Sequence, residues 1–275
     1  MRFSKMQGAG NDYIYVNAIS EQVEDPAALA IKLSDRHFGI GSDGLVLILN
    51  SEFADFRMRM FNSDGSEAEM CGNASRCVGK YVFEKGLTEK TFLTLETKAG
   101  LKTLNLFVED GLVKTVCVDM GEPILKPALI PVDVSGDSAI QIPLTIDSIT
   151  YELNCVSMGN PHAVIFTTDI DVLDLPVLGP KFELNKLFPK RTNTEFVEVI
   201  DKEHVKMRVW ERGAGETLAC GTGACAVLVA GVLSGHLARK AVVDLRGGSL
   251  LIEWDAKNNH VLMTGEAVTV FEGEV

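Results

Sequence analysis

The sequence lacks the residue spacings that hold structural metals and disulfide scaffolds. Its six cysteines, at positions 71, 77, 117, 155, 220 and 225, include no Cys-x-x-Cys pair, and the chain of 275 residues has only five histidines. Zinc sites and disulfide frameworks depend on close, repeated Cys and His spacings. The sequence therefore predicts neither of them, and we expect no metal ion.

Long apolar runs and an excess of positive charge are also missing. No window holds eighteen uncharged apolar residues, and no apolar stretch follows the basic residues near the N-terminus. Lys and Arg total 26 against 38 Asp and Glu, a formal net charge of −12, which repels phosphate backbones and anionic lipids. We therefore expect a cytoplasmic protein that binds neither nucleic acid nor a membrane. A small acidic substrate stays possible, because a local basic residue outweighs a distant field in a closed pocket.

The overall composition is that of a folded globular chain. Hydrophobic residues make up 46% and charged residues 23% of the sequence, which excludes a disordered, collagen-like or coiled-coil protein. The length allows one large domain or two of ordinary size, each able to bury a core without disulfides or metals.

Two segments of the sequence align without gaps at an offset of 149 residues. Residues 58–72 align with residues 207–221, matching a Met-Arg pair, an aromatic residue, a glutamate and a Cys-Gly pair. The same offset relates Gly10-Asn11 to Gly159-Asn160 and Gly86 to Gly235. The period is too long for a solenoid repeat. We therefore expect two copies of one domain: residues 1–117, completed by residues 266–275 as a returning strand, and residues 118–265.

Each copy has the same order of predicted elements. An alternating apolar segment predicts a strand, a glycine-containing polar loop follows, and Cys-Gly begins a helix that Gly86 or Gly235 ends. The first helix is amphipathic, with Arg76 on its predicted polar face, whereas the second is apolar on every side and is predicted to be buried by a sheet. Strand-like segments outnumber the helices, and only the proline-rich residues 176–189 suggest irregular structure. We expect an α+β fold of two pseudo-symmetric domains, each a mostly antiparallel or mixed β-sheet wrapped around a central helix.

Cys71 and Cys220 stand at the predicted starts of the two helices. Unpaired N–H groups and the positive end of the helix dipole stabilise a thiolate at such a position. Cysteine is more often a small buried apolar residue, and we interpret the other four cysteines in that way, since they lie in apolar faces. Because both copies keep Cys-Gly at the one position where the backbone polarises a thiol, we predict that Cys71 and Cys220 are reactive.

The repeat also suggests what the two thiols do together. A pseudo-twofold axis would bring equivalent helix starts to opposite sides of a cleft, where ligands commonly bind. One thiolate can then remove an α-proton while the other thiol returns a proton to the opposite face, as racemisation requires. Backbone N–H groups of Gly72-Asn73 and Gly221-Thr222 are suited to hold the substrate carboxylate as negative charge accumulates on it.

Short motifs that follow one another along the whole chain carry a family resemblance. They are Lys-Met-Gln-Gly-Ala-Gly-Asn-Asp-Tyr at 5–13, Gly-Ile-Gly-Ser-Asp-Gly at 39–44, Phe-Asn-Ser-Asp-Gly-Ser-Glu at 61–67, Cys-Gly-Asn at 71–73, Ser-Met-Gly-Asn-Pro-His at 157–162, Glu-Arg-Gly-Ala-Gly-Glu-Thr at 211–217 and Cys-Gly-Thr-Gly at 220–223. Together they resemble the diaminopimelate epimerase family. Proline racemases of the same superfamily share the fold and the cysteine pair, but the run at 211–217 is similar to the diaminopimelate enzymes.

The resemblance implies a homodimeric enzyme that interconverts LL-2,6-diaminopimelate and meso-2,6-diaminopimelate, on the route to lysine and peptidoglycan, without pyridoxal phosphate, metal or another cofactor. It implies that Cys71 and Cys220 are the acid/base residues, and that His162 and Glu211 influence the proton affinity of the thiols. The implied substrate-binding residues are Asn11, Asn62, Gly72, Asn73, Asn160, Asn193, Glu211, Arg212, Gly221 and Thr222.

The sequence departs from the family pattern at three positions and leaves other functions open. Ala74, Tyr13 and Gly44 stand where the family often has glycine, phenylalanine and, in some members, a substrate-contacting glutamine. A thiol redox protein that cycles a Cys71–Cys220 disulfide is one alternative, although the sequence has no resolving Cys-x-x-Cys motif. An amino-acid-binding protein is another, and it would tolerate serine at both cysteines. A sulfur-bridged diamino diacid of the same length is an alternative substrate.

Overall fold

The computed structural model describes residues 1–275 and contains eighteen strands and four α-helices. The chain divides into two compact units, Met1–Asp119 with Thr264–Val275, and Met120–Met263. Each unit combines parallel and antiparallel strand pairs with α-helices, so the predicted α+β class is confirmed. None of the helices has both the length and the apolar character needed to span a bilayer.

The elements follow in chain order. The first unit contains β1 (Arg2–Gly8), β2 (Asn11–Asn17), α1 (Pro26–Ser34), β3 (Gly44–Leu49), β4 (Phe56–Asn62), β5 (Glu67–Ala68), α2 (Gly72–Glu84), β6 (Phe92–Thr97), β7 (Gly100–Glu109) and β8 (Leu112–Asp119). The second contains β9 (Ile142–Ile146), β10 (Ile149–Ser157), β11 (Pro161–Phe166), α3 (Leu175–Glu183), β12 (Asn193–Asp201), β13 (His204–Glu211), β14 (Gly215–Thr217), α4 (Gly221–Leu233), β15 (Lys240–Leu245) and β16 (Gly248–Trp254), with 3₁₀ turns at Pro127–Leu129 and Ile170–Val172. The strand β17 (Val261–Glu266) runs through the boundary, and β18 (Val268–Glu274) belongs to the first unit.

Corresponding strands of the two units share one pairing register. In the first unit β2 and β3 are parallel, with Tyr13 opposite Gly44. In the second unit β11 and β12 are parallel, with His162 opposite Asn193. The antiparallel pairs β3–β4 and β12–β13 keep the same offset of 149 residues, as do β4–β5 and β13–β14. Residues related by this offset therefore occupy equivalent places within their own sheets.

Each unit packs one thirteen-residue helix against its own strands. The helix α2 packs on β1, β2, β7 and β8, and α4 packs on β10, β11, β12, β15 and β16. Along α4 the residues from Gly223 to Gly231 are buried, as its uniformly apolar sequence predicts. Gly86 and Gly235 follow the C-caps with φ of 69° and 82°. Only glycine adopts this backbone freely, and the predicted helix ends are confirmed.

The predicted polar face of α2 is wrong at Arg76. This side chain is completely buried, with Nη1 donating to Asn73 Oδ1 at 3.0 Å and Nε donating to the carbonyl of Glu266 at 3.1 Å. A buried guanidinium needs such partners because desolvation without them is costly. The second partner comes from a segment 190 residues away, and helical periodicity carries no information about it.

The proline-rich segment predicted to be irregular contains the helix α3. Asp174 caps it, with Oδ1 accepting from the N–H of Val177 at 3.4 Å. Pro176 lies in the first turn, where its missing N–H needs no helical partner. Pro180 removes one hydrogen bond inside the helix, but Phe182 is fully buried in the core of the second unit and stabilises the helix by its packing.

Candidate active site

Cys71 and Cys220 are the N-cap residues of α2 and α4. Both have extended backbone, with φ of −138° and −125°. Their carbonyls accept the first helical hydrogen bonds, from Ser75 N at 2.9 Å and from Ala224 N at 3.0 Å. Both thiols thus lie beside the N–H groups of a first helical turn, which have no partner within the helix.

In the first unit, the half-buried Cys71 contacts an amide. Its Sγ donates to Asn11 Oδ1 at 3.3 Å, and Asn11 Nδ2 donates to Asp43 Oδ2 at 2.7 Å. The same carboxylate oxygen accepts the backbone N–H of Asp12 at 3.1 Å. The sequence predicted no role for Asp43, yet this residue orients the amide that faces the thiol.

Charged groups in this unit are paired with one another on the side of Asn11 that faces away from the thiol. Arg36 Nη2 lies 2.9 Å from Asp12 Oδ1 and 3.0 Å from Asp43 Oδ1, and the buried Lys5 is also paired with Asp12. Burial raises the pKa of Asp12, but hydrogen bonds and charges from Arg36 and Lys5 outweigh burial and hold that pKa below its ordinary value. The carboxylates beside Cys71 are therefore separated from its sulfur by the amide of Asn11.

The other predicted site residues of the first unit make local contacts. Asn62 Nδ2 donates to Ser66 Oγ at 3.0 Å, which places the amide in the turn between β4 and β5. Gly72 and Asn73 are buried in the first turn of α2. The Asn73 side chain accepts from Arg76, so the group that Asn73 offers to a ligand is its backbone N–H.

In the second unit, Cys220 lies in a buried cluster of ionisable groups. Its Sγ, a carboxylate oxygen of Glu195 and a ring nitrogen of His162 are all within 4.8 Å of one another. His162 Nδ1 faces Glu195 Oε1 at 2.7 Å, and Nε2 faces Asn160 Oδ1 at 3.0 Å. Asn160 Nδ2 donates to Thr222 Oγ1 at 3.2 Å, and this hydroxyl lies 3.5 Å from Cys220 Sγ. Hydrogen bonds thus connect the imidazole to the thiol through Asn160 and Thr222.

A thiol, an imidazole and a carboxylate are also the donors that zinc accepts. Both ring nitrogens of His162 already have hydrogen-bond partners, Glu195 on one side and Asn160 on the other. A metal ion would have to break one of these bonds before it could bind the ring. We therefore interpret the three groups as an acid–base cluster.

The surroundings of Cys220 hold it as a thiol. Burial raises its pKa well above the ordinary value, and the carboxylates of Glu211 and Glu195 raise it further. Hydrogen bonds from Thr222 and from the N–H of Gly223 oppose this shift without cancelling it. The N–H of Gly223 at the helix start favours the thiolate of Cys220, but desolvation and two negative charges outweigh it.

Glu211 is the acceptor for this thiol. Burial raises the pKa of Glu211, while hydrogen bonds from Thr217 and from the Cys220 thiol favour its ionised form. Thr217 Oγ1 donates to Glu211 Oε1. The expected influence of Glu211 on Cys220 is thus supported by a direct contact, and the two groups compete for one proton.

Asn193 and Arg212 are connected through the backbone. The buried Asn193 amide donates to the carbonyl of Pro161 at 2.9 Å and accepts the N–H of Arg212 at 2.9 Å. The guanidinium of Arg212 is exposed and donates to the carbonyl of Lys190 at 3.0 Å. Asn193 therefore positions the turn after β13, and Arg212 presents its charge at the surface of the second unit.

Comparisons with known proteins agree with the sequence motifs. The sequence model described as diaminopimelate epimerase matches residues 3–126 and 154–270. The chain belongs to the diaminopimelate epimerase family. It is 65% identical to the diaminopimelate epimerase of Acetivibrio thermocellus, over 100% of this chain and 98% of that one. It is 60% identical to the diaminopimelate epimerase of Methanococcus maripaludis strain C5, over 100% and 99% of the two chains. The predicted resemblance is confirmed.

Solved structures share the fold of this diaminopimelate epimerase family member at low sequence identity. A hydroxyproline epimerase from Agrobacterium vitis has a TM-score of 0.70 and 16% identity, covering 100% of this chain and 90% of that one. A phenazine biosynthesis protein of the PhzF family from Bacillus anthracis has a TM-score of 0.73 and 20% identity, covering 100% and 98%. These likenesses extend the α+β fold beyond the family.

Sequence reasoning missed two acidic residues at the thiols of this diaminopimelate epimerase family member, Asp43 and Glu195. A signal for Glu195 was available, because it lies two residues after Asn193 on β12 and successive odd positions of a strand share a face. Asp43 lies in a loop, where no periodicity applies. A Cβ built on Gly223 would lie 2.7 Å from Glu195 Oε1 and 3.3 Å from Cys220 Sγ, so this glycine leaves room for the acidic side chain.

Proposed function

We propose that this chain interconverts LL-2,6-diaminopimelate and meso-2,6-diaminopimelate, for lysine and peptidoglycan synthesis, by a two-base reaction of Cys71 and Cys220. Membership of the diaminopimelate epimerase family supports the substrate. The observation that carries the mechanism is that both cysteines cap the buried helix of their unit at positions related by the 149-residue offset. Each thiol thus has the same backbone setting, as a reaction with two equivalent directions requires.

Each turnover moves one proton off the substrate and another onto it. A thiolate takes the α-proton, so the C–H bond breaks, an S–H bond forms and the electron pair passes into the substrate carboxylate. The second thiol then gives its proton to the opposite face of the same carbon and becomes the thiolate. With Cys220 held as a thiol, Cys71 is the base in one direction, and the roles reverse in the other.

The developing negative charge needs fixed donors. Backbone N–H groups of Gly72-Asn73 and Gly221-Thr222 open the two helices, where unpaired donors and the helix dipole stabilise an anion. Asn62 and Arg212 are assigned to the same end of the substrate. This arrangement stabilises the carboxylate most when charge accumulates on it, which lowers the barrier to proton removal.

We assign recognition of the substrate's distal amino acid group to the remaining asparagine amides. Asn11 and Asn160 are related by the offset, and each lies beside the thiol region of its own unit. Asn193 acts through the backbone of Arg212, which it holds. We assign no metal or organic cofactor, because two thiols, two helix starts and a guanidinium supply the proton transfers and the charge stabilisation.

A homodimer in the cytoplasm completes the proposal. The strand β18 exposes three neighbouring apolar side chains, Val268, Val270 and Phe271, with 37%, 55% and 47% of their surface accessible. A cluster of exposed apolar side chains is the kind of surface that a protein interface buries. Sedimentation is expected to give a dimer for the wild type and a monomer for Val270→Asp, and a monomeric wild type would contradict the proposal.

The decisive experiment is proton NMR of LL-diaminopimelate with reduced protein in D₂O. Loss of the Cα–H signal together with appearance of the meso isomer is the expected result. Exchange without epimer formation would contradict the claim that a second thiol protonates the opposite face of the α-carbon. No exchange by fully reduced protein would exclude diaminopimelate, and proline or hydroxyproline would be the next substrates to add to the same sample.

A further inference from the structure

Glu195 is a buried carboxylate that the reaction described above does not use. It has no accessible surface, and its Oε1 lies 2.7 Å from His162 Nδ1. The other oxygen, Oε2, is buried without a hydrogen-bond partner. Burying a carboxylate that is only partly paired destabilises the fold, so packing alone does not account for an acidic residue here.

We propose that Glu195 is a positioning residue for the proton transfers of Cys220, acting by orienting His162 against the thiol. Its carboxylate accepts the Nδ1 proton of the ring, while Asn160 contacts Nε2. Both ring nitrogens face oxygen acceptors, and the imidazole cannot rotate without losing these contacts. The proposal rests on the proposed function, since it assigns a role within that reaction.

The negative charge of Glu195 also acts on the thiol directly. Its carboxylate, the ring of His162 and Cys220 Sγ are within 4.8 Å of one another, and Gly223 provides the space between them. Groups from every neighbouring element face this carboxylate: Cys155 from β10, His162 from β11, Glu211 from β13 and Cys220 from α4. Glu195 thereby favours the protonated form of Cys220.

The first unit has no equivalent of this pair. At the 149-residue offset, Val46 occupies the strand position of Glu195, and Tyr13 occupies that of His162. An acid–imidazole pair thus accompanies one thiol, although the backbone framework is common to both. This difference allows Cys220 to keep its proton while Cys71 ionises, because identical surroundings would leave both thiols in the same protonation state.

Glu195→Gln tests the proposal, since glutamine keeps the size and one acceptor oxygen but removes the charge. We expect kcat to fall about 10- to 100-fold and KM to change by less than about twofold. The limb of the kcat–pH profile that belongs to Cys220 should move to lower pH, because loss of a nearby negative charge eases thiol ionisation. The control is Glu198→Gln on the same strand, whose side chain is half-buried and accepts from Ile170 N; wild-type kinetics are expected. A wild-type pH profile for Glu195→Gln would overturn the proposal.

Two further measurements separate positioning from a general structural role. If Glu195 positions His162, kcat on the pH plateau should be no lower for the double variant His162→Gln/Glu195→Gln than for His162→Gln alone, because the direct effect of the Glu195 charge moves only the pH limb. Multiplied losses on the plateau would overturn the proposal. Nitrogen-15 NMR of His162 in the wild-type protein should show a protonated Nδ1, and an unprotonated Nδ1 would overturn the proposal without any variant. A wild type that fails to epimerise diaminopimelate would contradict the proposed function instead, and the NMR result would still decide the His162–Glu195 contact.

Discussion

The surroundings of Cys71 and Cys220 differ although both residues cap equivalent helices. Cys71 is half-buried and donates to the neutral amide of Asn11, whose charged neighbours are neutralised by Arg36 and Lys5. Cys220 is buried with His162 and two carboxylates. Charge in the first unit is therefore paired away from the sulfur, whereas in the second unit it lies against the sulfur.

This difference shows that the helix start alone does not decide the state of a thiol. Both sulfurs lie at a helix N-terminus, yet burial and negative charge raise the pKa of Cys220 well above the ordinary value. A two-base epimerase needs one thiolate and one thiol at the same moment. Dissimilar side chains on similar backbones meet this need, and the following variants test whether each difference matters.

The largest expected effect comes from removing either thiol. Cys71→Ser and Cys220→Ser should each lower the epimerisation rate by about 100-fold or more, because a hydroxyl is far too weakly acidic to act as the base. Proton NMR in D₂O measures both rates, and Cys117→Ser on β8 is the matched control with wild-type activity expected. A serine variant that keeps the wild-type rate would contradict the two-base reaction.

A second pair of variants exchanges equivalent helix positions. Gly223 in α4 corresponds to Ala74 in α2, and an added methyl group in α4 meets Glu195 and Cys220. Gly223→Ala should lower kcat about 10- to 100-fold by displacing these groups, while Ala74→Gly should only destabilise the fold, by about 1 kcal/mol. Kinetics and urea denaturation distinguish the two outcomes. Equal effects on kcat would show that the two helix starts are not chemically distinct.

Removing Asp43, which orients Asn11 beside Cys71, is expected to lower kcat less than the changes above. Asp43→Ala removes the acceptor of the Asn11 amide and of the Asp12 N–H, so Asn11 should lose its fixed orientation and kcat should fall about tenfold. Steady-state kinetics measures the change, with Glu109→Ala, at an exposed position of β7, as the control. An unchanged kcat would show that Asn11 keeps its place without Asp43.

The smallest effect concerns two of the buried thiols away from the helix starts, one chosen from each unit. Burial raises the pKa of Cys77 to about 11 and that of Cys155 to about 12. Above pH 9 the unfolded chain ionises these thiols while the folded protein keeps them protonated, so stability falls as pH rises. Cys77→Ala and Cys155→Ala should each reduce the loss of unfolding free energy between pH 8 and pH 10 by about 1 kcal/mol.

Urea denaturation at the two pH values measures this slope. Each alanine variant is expected to be less stable than the wild type at pH 8, because it leaves a small cavity, so the pH dependence rather than the absolute stability is the quantity to compare. A variant with the wild-type slope would show that its thiol ionises in the folded protein too.

Local patterns were sufficient for the helix starts, the helix ends and most central strands. Cys71 and Cys220 at the N-caps, and Gly86 and Gly235 after the C-caps, follow from residue preferences within a few positions. The same kind of reasoning was wrong for Arg76 and for α3, because the carbonyl of Glu266 and the core around Phe182 are supplied by distant segments.

The sequence alone determined the α+β class, the repeat at 149 residues and the positions of the two N-cap cysteines, since these depend on periodicity and on residues close together in the chain. Only the tertiary structure decided which thiol keeps its proton. Glu195 lies 25 residues before Cys220 in the chain, and His162 lies 58 residues before it, yet the three groups lie within 4.8 Å. The pKa of a thiol depends on burial and on distances in space, and those are set by strand pairing rather than by neighbours in the sequence.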